Sequence, residues 1–482
     1  MNKFIKTTIL IVISTVLLQS CGDFLDSSPH ISIDDDTAIK DVKSAIGGVT
    51  GAYDAMTQVD SYGRNFSVFG DVFTDNVQIS PTNSNRFTGE AAWSWTSSNT
   101  DYRDYWTRSY QVINRVNNII NASIAGDPDQ IDQLLGESYA IRALIHFDMV
   151  RLFAQDYRFT ADQSHLGIPY IKAHDPKGQP SRNTVAEVYT NILSDMEEAA
   201  KRIKVLRGIS LENPLAKPYG TAPYTISPDV VNAIYARIYL TMGNYAKAKE
   251  YAELLIPKYS LVSNEDYASI WTELYSSESI FTMSNSEIDY LSTNSLGYIY
   301  VESGYGDLLV SPTLYALYAD NDIRKSLVVN GTAASKKNNL YMQGKYPYTR
   351  GRPGLDNPNL IRVSEMYLIA AEAAARTGNE PIARKYLDNI RQRAIPTAPA
   401  STATGQALID EILLEKRKEL AFEGQYFYDL KRLHLDIIGA TAGNGTIGKV
   451  IKYGDDLLAL PIPQAETDAN PNLAKQQNPG YN

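Results

Sequence analysis

The chain has 482 residues, of which 44% are hydrophobic, and its formal net charge is −10 at pH 7. This length allows a large core, and the acidic balance argues against binding to nucleic acid or to anionic lipid headgroups. Five histidines without metal-ligand spacing and a single cysteine argue against a zinc site and against a disulfide framework.

Residues 1–20 have the pattern of a sorting signal, with a positively charged end and an apolar run that is followed by the only cysteine, Cys21. The apolar run is too short to span a bilayer. A small residue before a cysteine at this place resembles the cleavage site of bacterial lipoproteins. The resemblance implies that residues 1–20 are a lipoprotein signal peptide and that Cys21 carries the lipids that anchor the protein to the membrane. Residues 21–36 are then predicted to be a polar tether.

The rest of the chain, residues 37–482, is predicted to form one mainly α-helical domain. Its helical periodicity breaks off from about residue 60 to 104, in a stretch rich in Gly, Asn, Ser, Thr and aromatic residues. This composition predicts loops and short strands. Where the helical pattern resumes, Trp106 shares a stripe with Ile113 and Val116, which predicts that its ring is buried.

Two helical hairpins are predicted, at 233–256 and 360–394. In each, a turn glycine, Gly243 or Gly378, is followed five residues later by an alanine at which the two arms cross. This repeated spacing is typical of tetratricopeptide-type helix-turn-helix repeats. The alternative is that any amphipathic hairpin with a glycine turn has the same pattern.

A looser helical pair is predicted from Glu137–Phe153 and Thr184–Ile203, which extends the repeats over about 105–256 and 360–433. Residues 257–358 are again irregular and too long for a plain loop. We expect them to pack beside the helices as a second layer with short strands such as Tyr298–Val301. The tail from Asp455 is rich in Pro and Asn and is predicted to lie extended over the fold.

Several sequence segments, in this order along the chain, resemble the SusD/RagB family of surface glycan-binding lipoproteins. They are CGDFLD, INRVNNIINA, ESYAIRALIHFDMVRLF, TVAEVYTNILSDMEEA, VNAIYARIYLTMGNYAKA, IRVSEMYLIAAEAAARTGN, EKRKELAFEGQYFYDLKR, and a closing LPIP with NPGY. The resemblance implies a helical-repeat scaffold with an irregular face, held at the outer membrane and exposed on the cell surface. It also implies binding of oligosaccharide or polysaccharide and delivery to a partner, a TonB-dependent outer-membrane transporter.

The residue chemistry is consistent with carbohydrate binding. Tyr outnumbers Phe by 33 to 12, and tyrosine suits surfaces that are apolar on one side and wet on the other. A sugar ring has an apolar C–H face and a rim of hydroxyls that polar side chains can bind. The irregular stretches, about 60–104 and 257–358, are therefore predicted to face the ligand. Trp93 and Trp95 would share one side of an extended segment. The predicted binding residues are Arg86, Trp93, Trp95, Tyr290, Tyr298 and Tyr300.

An enzyme is the main alternative, because a glycoside hydrolase needs two converging carboxylates. Glu415, Glu419 and Glu423 recur at four-residue spacing, but beside Lys416, Arg417 and Lys418 this is typical of a salt-bridged structural helix. The sequence contains no nucleophile elbow, phosphate-binding loop or zinc-protease motif. We therefore expect binding without catalysis.

Two further alternatives concern the ligand. The cargo can be a peptide or glycopeptide, as the resemblance allows, or the chain can be a lipidated repeat scaffold for a protein ligand. No cofactor is predicted, although a structural calcium ion near Asp71, Asp75 or Asn76 is an option.

Overall fold

The structure is a computed structural model that describes residues 38–204, 223–347, 351–352 and 354–481. The predicted signal peptide, the predicted tether and Cys21 lie outside the described residues. Within these ranges, no helix combines the length and the apolar character that crossing a bilayer requires.

Helices dominate the described residues, in agreement with the predicted mainly α-helical class. The longer ones are α1 Val42–Thr57, α2 Asn65–Val72, α4 Thr100–Ile120, α5 Pro128–Phe153, α6 Val185–Arg202, α7 Pro228–Met242, α8 Tyr245–Glu253, α12 Val363–Arg376, α13 Glu380–Ala394, α14 Gly405–Leu420 and α15 Tyr426–Arg432. The short ones are α3 Thr88–Ala91, α9 Ser269–Thr272, α10 Leu296–Tyr300, α11 Pro312–Tyr315, α16 Gln464–Ala469 and α17 Pro471–Ala474.

The strands are short and pair two by two. They are β1 Val77–Ile79, β2 Ser279–Thr282, β3 Leu308–Val310, β4 Val329–Asn330, β5 Leu340–Tyr341, β6 Asn359–Arg362, β7 Ile437–Ile438 and β8 Val450–Ile451. The antiparallel pairs are β1 with β3, β2 with β6, β4 with β5, and β7 with β8. Two of these pairs tie residues 257–358 to the rest of the molecule, because β3 pairs with the strand that follows α2 and β2 pairs with the strand that leads into α12.

The two predicted hairpins are present as α7–α8 and α12–α13. Gly243 (φ +76°) and Gly378 (φ +81°) adopt the left-handed conformation that ends a helix at low cost. In both turns the following asparagine donates its backbone N–H to the carbonyl five residues earlier, at 2.9 Å in the first hairpin and 2.8 Å in the second. The alanines predicted at the crossings, Ala248 and Ala383, are fully buried. Small side chains there let the helix backbones approach closely.

The looser pair is also present, as α5 and α6. Arg142 on α5 forms a bidentate ion pair with Asp195 on α6, with N–O distances of 2.6 and 2.7 Å, and both side chains are buried. Helix α4 packs on α5 next to this pair. Trp106 of α4 is buried, as predicted, and its ring contacts that of Phe153. The assignment of the hairpins to the tetratricopeptide type stays a prediction.

Two local predictions are wrong. Residues Tyr298–Val301 do not form a strand, because Ser295 caps a helical turn by accepting a hydrogen bond from the Tyr298 N–H at 3.3 Å. The tail from Asp455 is not wholly extended, since it contains α16 and α17. Pro471 occupies the first turn of α17, where a missing N–H costs nothing.

The loop-rich layer, which we define as residues 60–104 and the described part of 257–358, meets the helices through a backbone contact. A Cβ atom on Gly70 of α2 would lie 2.1 Å from the carbonyl oxygen of Gly424, which follows α14. Next to it, the buried Asp71 carboxylate accepts the backbone N–H groups of Phe422 at 3.2 Å and Gly424 at 2.8 Å. Nothing larger than glycine fits at this junction.

Candidate functional site

The candidate site begins where strands β1 and β3 pair. Ile79 lies opposite Leu308, so the loop that follows β1 runs beside the segment that precedes β3. Two hydrogen bonds fix this arrangement, from the Ser80 N–H and from the Asn83 amide to the carbonyl oxygen of Asp307, at 2.9 and 3.0 Å. The strand pair thus joins the two predicted ligand-facing stretches at one place.

Asp307 organises the loop around it. Its buried carboxylate accepts the backbone N–H of Ser84 at 2.8 Å and the Ser84 hydroxyl at 2.7 Å. The same carboxylate lies 3.3 Å from the guanidinium of Arg86, which also donates to the Ser84 hydroxyl. A charged partner behind Arg86 holds its guanidinium in one orientation while 30% of the side chain stays exposed.

Arg86 stacks on an aromatic pair. Its guanidinium carbon lies 3.6 Å from the centre of the Tyr305 ring, and the Tyr298 ring meets the Tyr305 ring edge to face at 4.8 Å. Both tyrosines are half-buried. We call Arg86, Tyr298 and Tyr305 the arginine–tyrosine surface. It presents ring faces and guanidinium donors side by side, a combination suited to a ligand with an apolar face and polar edges.

The backbone around Arg86 is unusual. Asn85 (φ +66°) and Phe87 (φ +55°) are both in the left-handed region, which non-glycine residues seldom adopt. The Asn83 side chain brackets the turn by accepting the Arg86 N–H at 2.9 Å and donating to the Arg86 carbonyl at 3.1 Å. Such conformations persist where the surroundings over-determine them, and they are common at binding sites.

The sequence predicted that Trp93 and Trp95 face the ligand, but in the structure both side chains are buried. Their indoles do lie side by side, with ring centres 5.0 Å apart, but they face inward and pack against Phe73 at 5.5 and 5.0 Å. Trp93 is 3% exposed and Trp95 is 6% exposed. Each indole N–H has an internal acceptor, the carbonyl of Phe73 and the hydroxyl of Tyr481. The two tryptophans pack inside the fold beneath the loop that contains them, so their assignment as ligand-binding residues is wrong.

Tyr300 is also misassigned. In a strand it would share a face with Tyr298, but in helix α10 two residues apart lie on nearly opposite sides. Tyr300 is therefore fully buried, against Tyr346 and Phe422, and burial raises the pKa of its hydroxyl. Tyr290 is half-buried, and no ring contact among the described residues joins it to the arginine–tyrosine surface. Its role in binding stays a prediction.

The binding residues predicted from the sequence include neither Tyr305 nor Asp307. A signal was present, because Tyr305 stands between Gly304 and Gly306, and Gly306 has a φ of +57°. A tyrosine between two glycines predicts a tight turn with an exposed ring. Nothing in the sequence could pair Asp307 with Ser84, since the two residues are brought together only by the strand pairing.

The residues proposed near a calcium ion have protein partners. The oxygens of Asp71 accept the Asn76 amide at 2.9 Å in addition to the two backbone N–H groups, and burial raises the pKa of Asp71 to about 6. Asp75 forms an ion pair with Arg417 at 2.8 Å. Within the described ranges, no group of three or more His, Cys, Asp or Glu side chains has the geometry of a metal site. These contacts favour a structural role for Asp71 and Asp75.

The three glutamates of the catalytic alternative lie in a buried ion-pair network. Glu419 contacts Arg393 at 2.6 Å and Arg362 at 3.2 Å, while Glu423 contacts Arg362 at 2.8 Å. Glu415 pairs with Arg324 at 2.7 Å. Burial alone would raise the pKa of Glu419, but the surrounding guanidinium groups lower it below its usual range. These carboxylates are held by arginines inside the fold, which is the structural role that the spacing favoured.

Two family models match the chain. Residues 23–240 match the model described as "Starch-binding associating with outer membrane", and residues 320–481 match the model of the SusD family. Among curated proteins, the chain is similar to the SusD-like protein P38 of Formosa agariphila, with 26% identity over 92% of this chain and 95% of that protein.

Solved structures agree with the family models. A SusD superfamily protein from Bacteroides thetaiotaomicron has 28% sequence identity and a TM-score of 0.80 over 91% of this chain and 100% of the other. A SusD superfamily protein from Bacteroides vulgatus has 27% identity and a TM-score of 0.81 over 92% of this chain and 100% of the other. With family models at both ends of the chain and the whole fold shared with these structures, the chain belongs to the SusD/RagB family.

Proposed function

We propose that this protein binds oligosaccharide or polysaccharide at the cell surface and delivers it to a TonB-dependent outer-membrane transporter, without cleaving it. The observation that carries the proposal is the arginine–tyrosine surface, in which Arg86 lies 3.6 Å above the ring of Tyr305, beside Tyr298. It stands in the part of the chain that matches the family model described as starch-binding, together with the segment that strand pairing brings next to it.

The chemistry of this surface fits a sugar. A tyrosine ring can cover the C–H face of a sugar, and the guanidinium can donate hydrogen bonds to the hydroxyls on its edge. Asp307 and Ser84 already fix the guanidinium, so little rotamer entropy remains to be lost when a ligand binds. An open surface leaves much of the ligand hydrated, so affinity for one site is modest and long chains gain by avidity.

The proposed location of the protein and its proposed partner are inferred mainly from family membership. The description "associating with outer membrane" supports a place at that membrane, and the lipoprotein pattern ending at Cys21 supplies an anchor. The transporter is proposed from family membership. The lack of catalysis is proposed because the carboxylate that contacts the arginine–tyrosine surface, that of Asp307, is buried and engaged by Arg86 and Ser84.

The test is affinity electrophoresis of soluble protein that begins after Cys21, in native gels containing single polysaccharides, with starch first. Wild-type protein should be retarded by at least one polysaccharide, and chromatography should show that the polysaccharide keeps its length. Arg86→Ala and Tyr305→Ala should each weaken retardation about tenfold, since each removes contacts of roughly 1–2 kcal/mol.

The matched control is Tyr275→Ala, which removes a tyrosine that is 42% exposed elsewhere in the loop-rich layer and should leave retardation unchanged. Release of shortened products would show an enzyme instead. Absence of retardation across a broad panel that includes peptides and glycopeptides would overturn the proposal and favour a protein ligand.

The partner and the anchor have separate tests. Detergent extracts of cells that express the full chain should yield a complex with a TonB-dependent transporter encoded beside it. Cys21→Ser should release the protein from the outer-membrane fraction without changing polysaccharide binding by the purified protein. Retention of the variant at the membrane would contradict the lipid anchor.

A further inference from the structure

A cleft lies where the C-terminal helices α16 and α17 face α4. Its volume is about 360 Å³. One wall is the loop 176–180, the other wall is α16 with the start of α17, and the floor is formed by α4 and by residues 169–171. The cleft shares no residue with the arginine–tyrosine surface.

Two polar groups that line this cleft have no partner among the described residues. The carboxylate of Glu466 on α16 is half-buried and makes no hydrogen bond or ion pair, and burial raises its pKa. The indole N–H of Trp106 also lacks an acceptor, although the residue is only 1% exposed. Because the described residues leave this donor and this acceptor uncommitted, both remain available to a ligand in the cleft.

The cleft is held open by bonds that do not involve these two groups. The amide of Asn470 donates to the carbonyl of Pro180 at 2.8 Å, and the amide of Asn472 donates to the carbonyl of Gln179 at 2.7 Å. On the floor, the hydroxyl of Tyr110 donates to the carbonyl of Pro169 at 2.7 Å. Both walls are therefore tied together, and the shape of the cleft does not depend on a ligand.

The chemistry of the cleft selects a ligand with hydroxyl groups. A hydroxyl can accept the indole N–H and donate to a carboxylate, so one kind of group satisfies both partners. Pro169, Ile171 and Leu473 supply apolar surface next to them. The volume lies at the small end of the range for ligand sites, about 300–1,000 Å³, which suits a mono- or disaccharide better than a longer chain.

We infer that this cleft is a second carbohydrate site, which takes a single sugar unit or a disaccharide through Trp106 and Glu466. The inference rests on the proposed function, since it assigns the same class of ligand to a separate place on the molecule. Two sites on one chain allow a polysaccharide, or two of its branches, to be held at once, which raises the apparent affinity without a new contact at either site.

The test uses NMR of the ¹⁵N-labelled protein from residue 22 onward. The chain has four tryptophans, and Trp106→Phe identifies the indole resonance of Trp106. Titration with glucose, galactose, mannose, xylose, N-acetylglucosamine and maltose should shift this resonance in a saturable way for at least one sugar. Glu466→Gln should weaken that sugar about tenfold, since it replaces an ionised acceptor.

Matched variants on α16 separate occupancy from general effects. Ala469→Phe places a ring in the cleft and should abolish the response, whereas Ala465→Phe, on the same helix but outside the cleft, should leave it unchanged. Asp468→Asn is the matched control for Glu466→Gln, because Asp468 is exposed and does not line the cleft.

The outcomes distinguish the two proposals. If no sugar shifts the Trp106 resonance, or if Ala469→Phe leaves the response intact, the cleft holds only water and the inference is wrong. Retardation by polysaccharide that Arg86→Ala weakens would still support the proposed function in that case. A response at Trp106 that Arg86→Ala leaves unchanged is the result expected for an independent second site.

Discussion

Among the arginines of this protein that stack on aromatic rings, Arg362 and Arg86 have opposite roles because their surroundings differ. We call the longer helices and the residues that directly join them the helical frame. Arg362 belongs to it as the last residue of β6, directly before α12. Its guanidinium carbon lies 5.0 Å from the centre of the Trp271 ring, and none of its side chain is exposed. Three glutamates surround it, at 2.8 to 3.2 Å. Arg86 lies in the loop-rich layer over Tyr305, is 30% exposed, and has one carboxylate behind it. Arg362 has no donor to offer a ligand, whereas Arg86 does.

The difference shows that two properties of a stacked arginine decide its role. They are the number of carboxylates around it and the exposure of its side chain, and they determine whether the arginine stabilises the fold or binds a ligand. A buried guanidinium must have its charge and donors satisfied internally, since a buried charge without partners is very costly. A guanidinium with one partner on its inner side is oriented and still has donors free on its outer side. The predictions below test this division between buried groups that stabilise the fold and exposed groups that bind a ligand, in order of decreasing effect.

The largest effect is expected when Arg362 is removed. Arg362→Ala leaves Glu278, Glu419 and Glu423 close together with less compensating charge, so the free energy of unfolding should fall by about 3–5 kcal/mol. Urea denaturation followed by circular dichroism measures the loss. Arg86→Ala, the matched change in the loop-rich layer, should cost less than about 1 kcal/mol. Equal losses in the two variants would contradict the division.

A smaller loss of stability is expected when one member of the buried pair, Trp93 and Trp95, is replaced. Trp93→Ala removes a ring that packs on Phe73 at 5.5 Å and on Phe427 at 6.1 Å, so unfolding should become easier by about 3 kcal/mol. Tyr298→Ala should change stability by no more than about 0.5 kcal/mol and should weaken polysaccharide binding. A stable Trp93→Ala protein that had lost only binding would restore Trp93 to the ligand site.

The frame should also lose stability in acid. Glu372 is buried and forms a bidentate pair with Arg432 at 2.8 and 2.6 Å, which lowers its pKa to about 2 from an ordinary value of 4.5 despite its burial. Because the folded state binds this proton less readily than the unfolded chain, the stabilisation is complete above pH 4.5. It is lost as the pH falls through 4.5 towards 2, by about 3 kcal/mol in total.

The measurement is the free energy of unfolding of the wild type and of Glu372→Gln from pH 6 down to pH 3. The wild type should lose stability more steeply than the variant, which lacks the titrating group. Parallel curves would show that Glu372 titrates alike in the folded and unfolded chain. If Glu372→Gln does not fold, the slope of the wild-type curve below pH 4.5 still tests whether the buried carboxylates as a group, Glu419 included, stabilise the fold less in acid.

The smallest effect is expected at Ser84, whose hydroxyl lies between Asp307 and Arg86. Ser84→Ala should weaken polysaccharide binding two- to threefold, about 0.5 kcal/mol, because Arg86 loses one of the groups that orient it. Affinity electrophoresis measures the change, with Ser94→Ala as an exposed control in the same stretch. A larger loss for Ser94→Ala than for Ser84→Ala would place the ligand elsewhere.

The frame could be predicted from the sequence because its determinants are local. Gly243 and Gly378 each end a helix in the left-handed conformation, and the alanine five residues later is buried in both hairpins. Helix periodicity also placed Trp106 in the core. These features depend on residues a few positions apart, which a single sequence displays.

The candidate site could be predicted only in part, because its determinants are distant in sequence. Arg86 and Tyr298 were identified by residue type within the irregular stretches. The predictions for Trp93 and Tyr300 failed because the direction of a side chain depends on backbone conformation. Trp93 has a φ of +52°, and Tyr300 lies in a helical turn instead of a strand. Asp307 is 221 positions from Arg86, so only the pairing of β1 with β3 reveals it.

The close approach of Gly70 to Gly424 has a consequence for engineering. A single methyl group added to Gly70 would overlap the backbone of Gly424 by more than an ångström. When segments are exchanged between relatives, the residues at both positions must therefore come from the same protein. A chimaera that transplants residues 74–104 together with residues 257–358, and leaves both glycines in place, should assemble normally and take on the specificity of the donor. One whose splice point introduces alanine at either position should fail to assemble, whichever loops it carries.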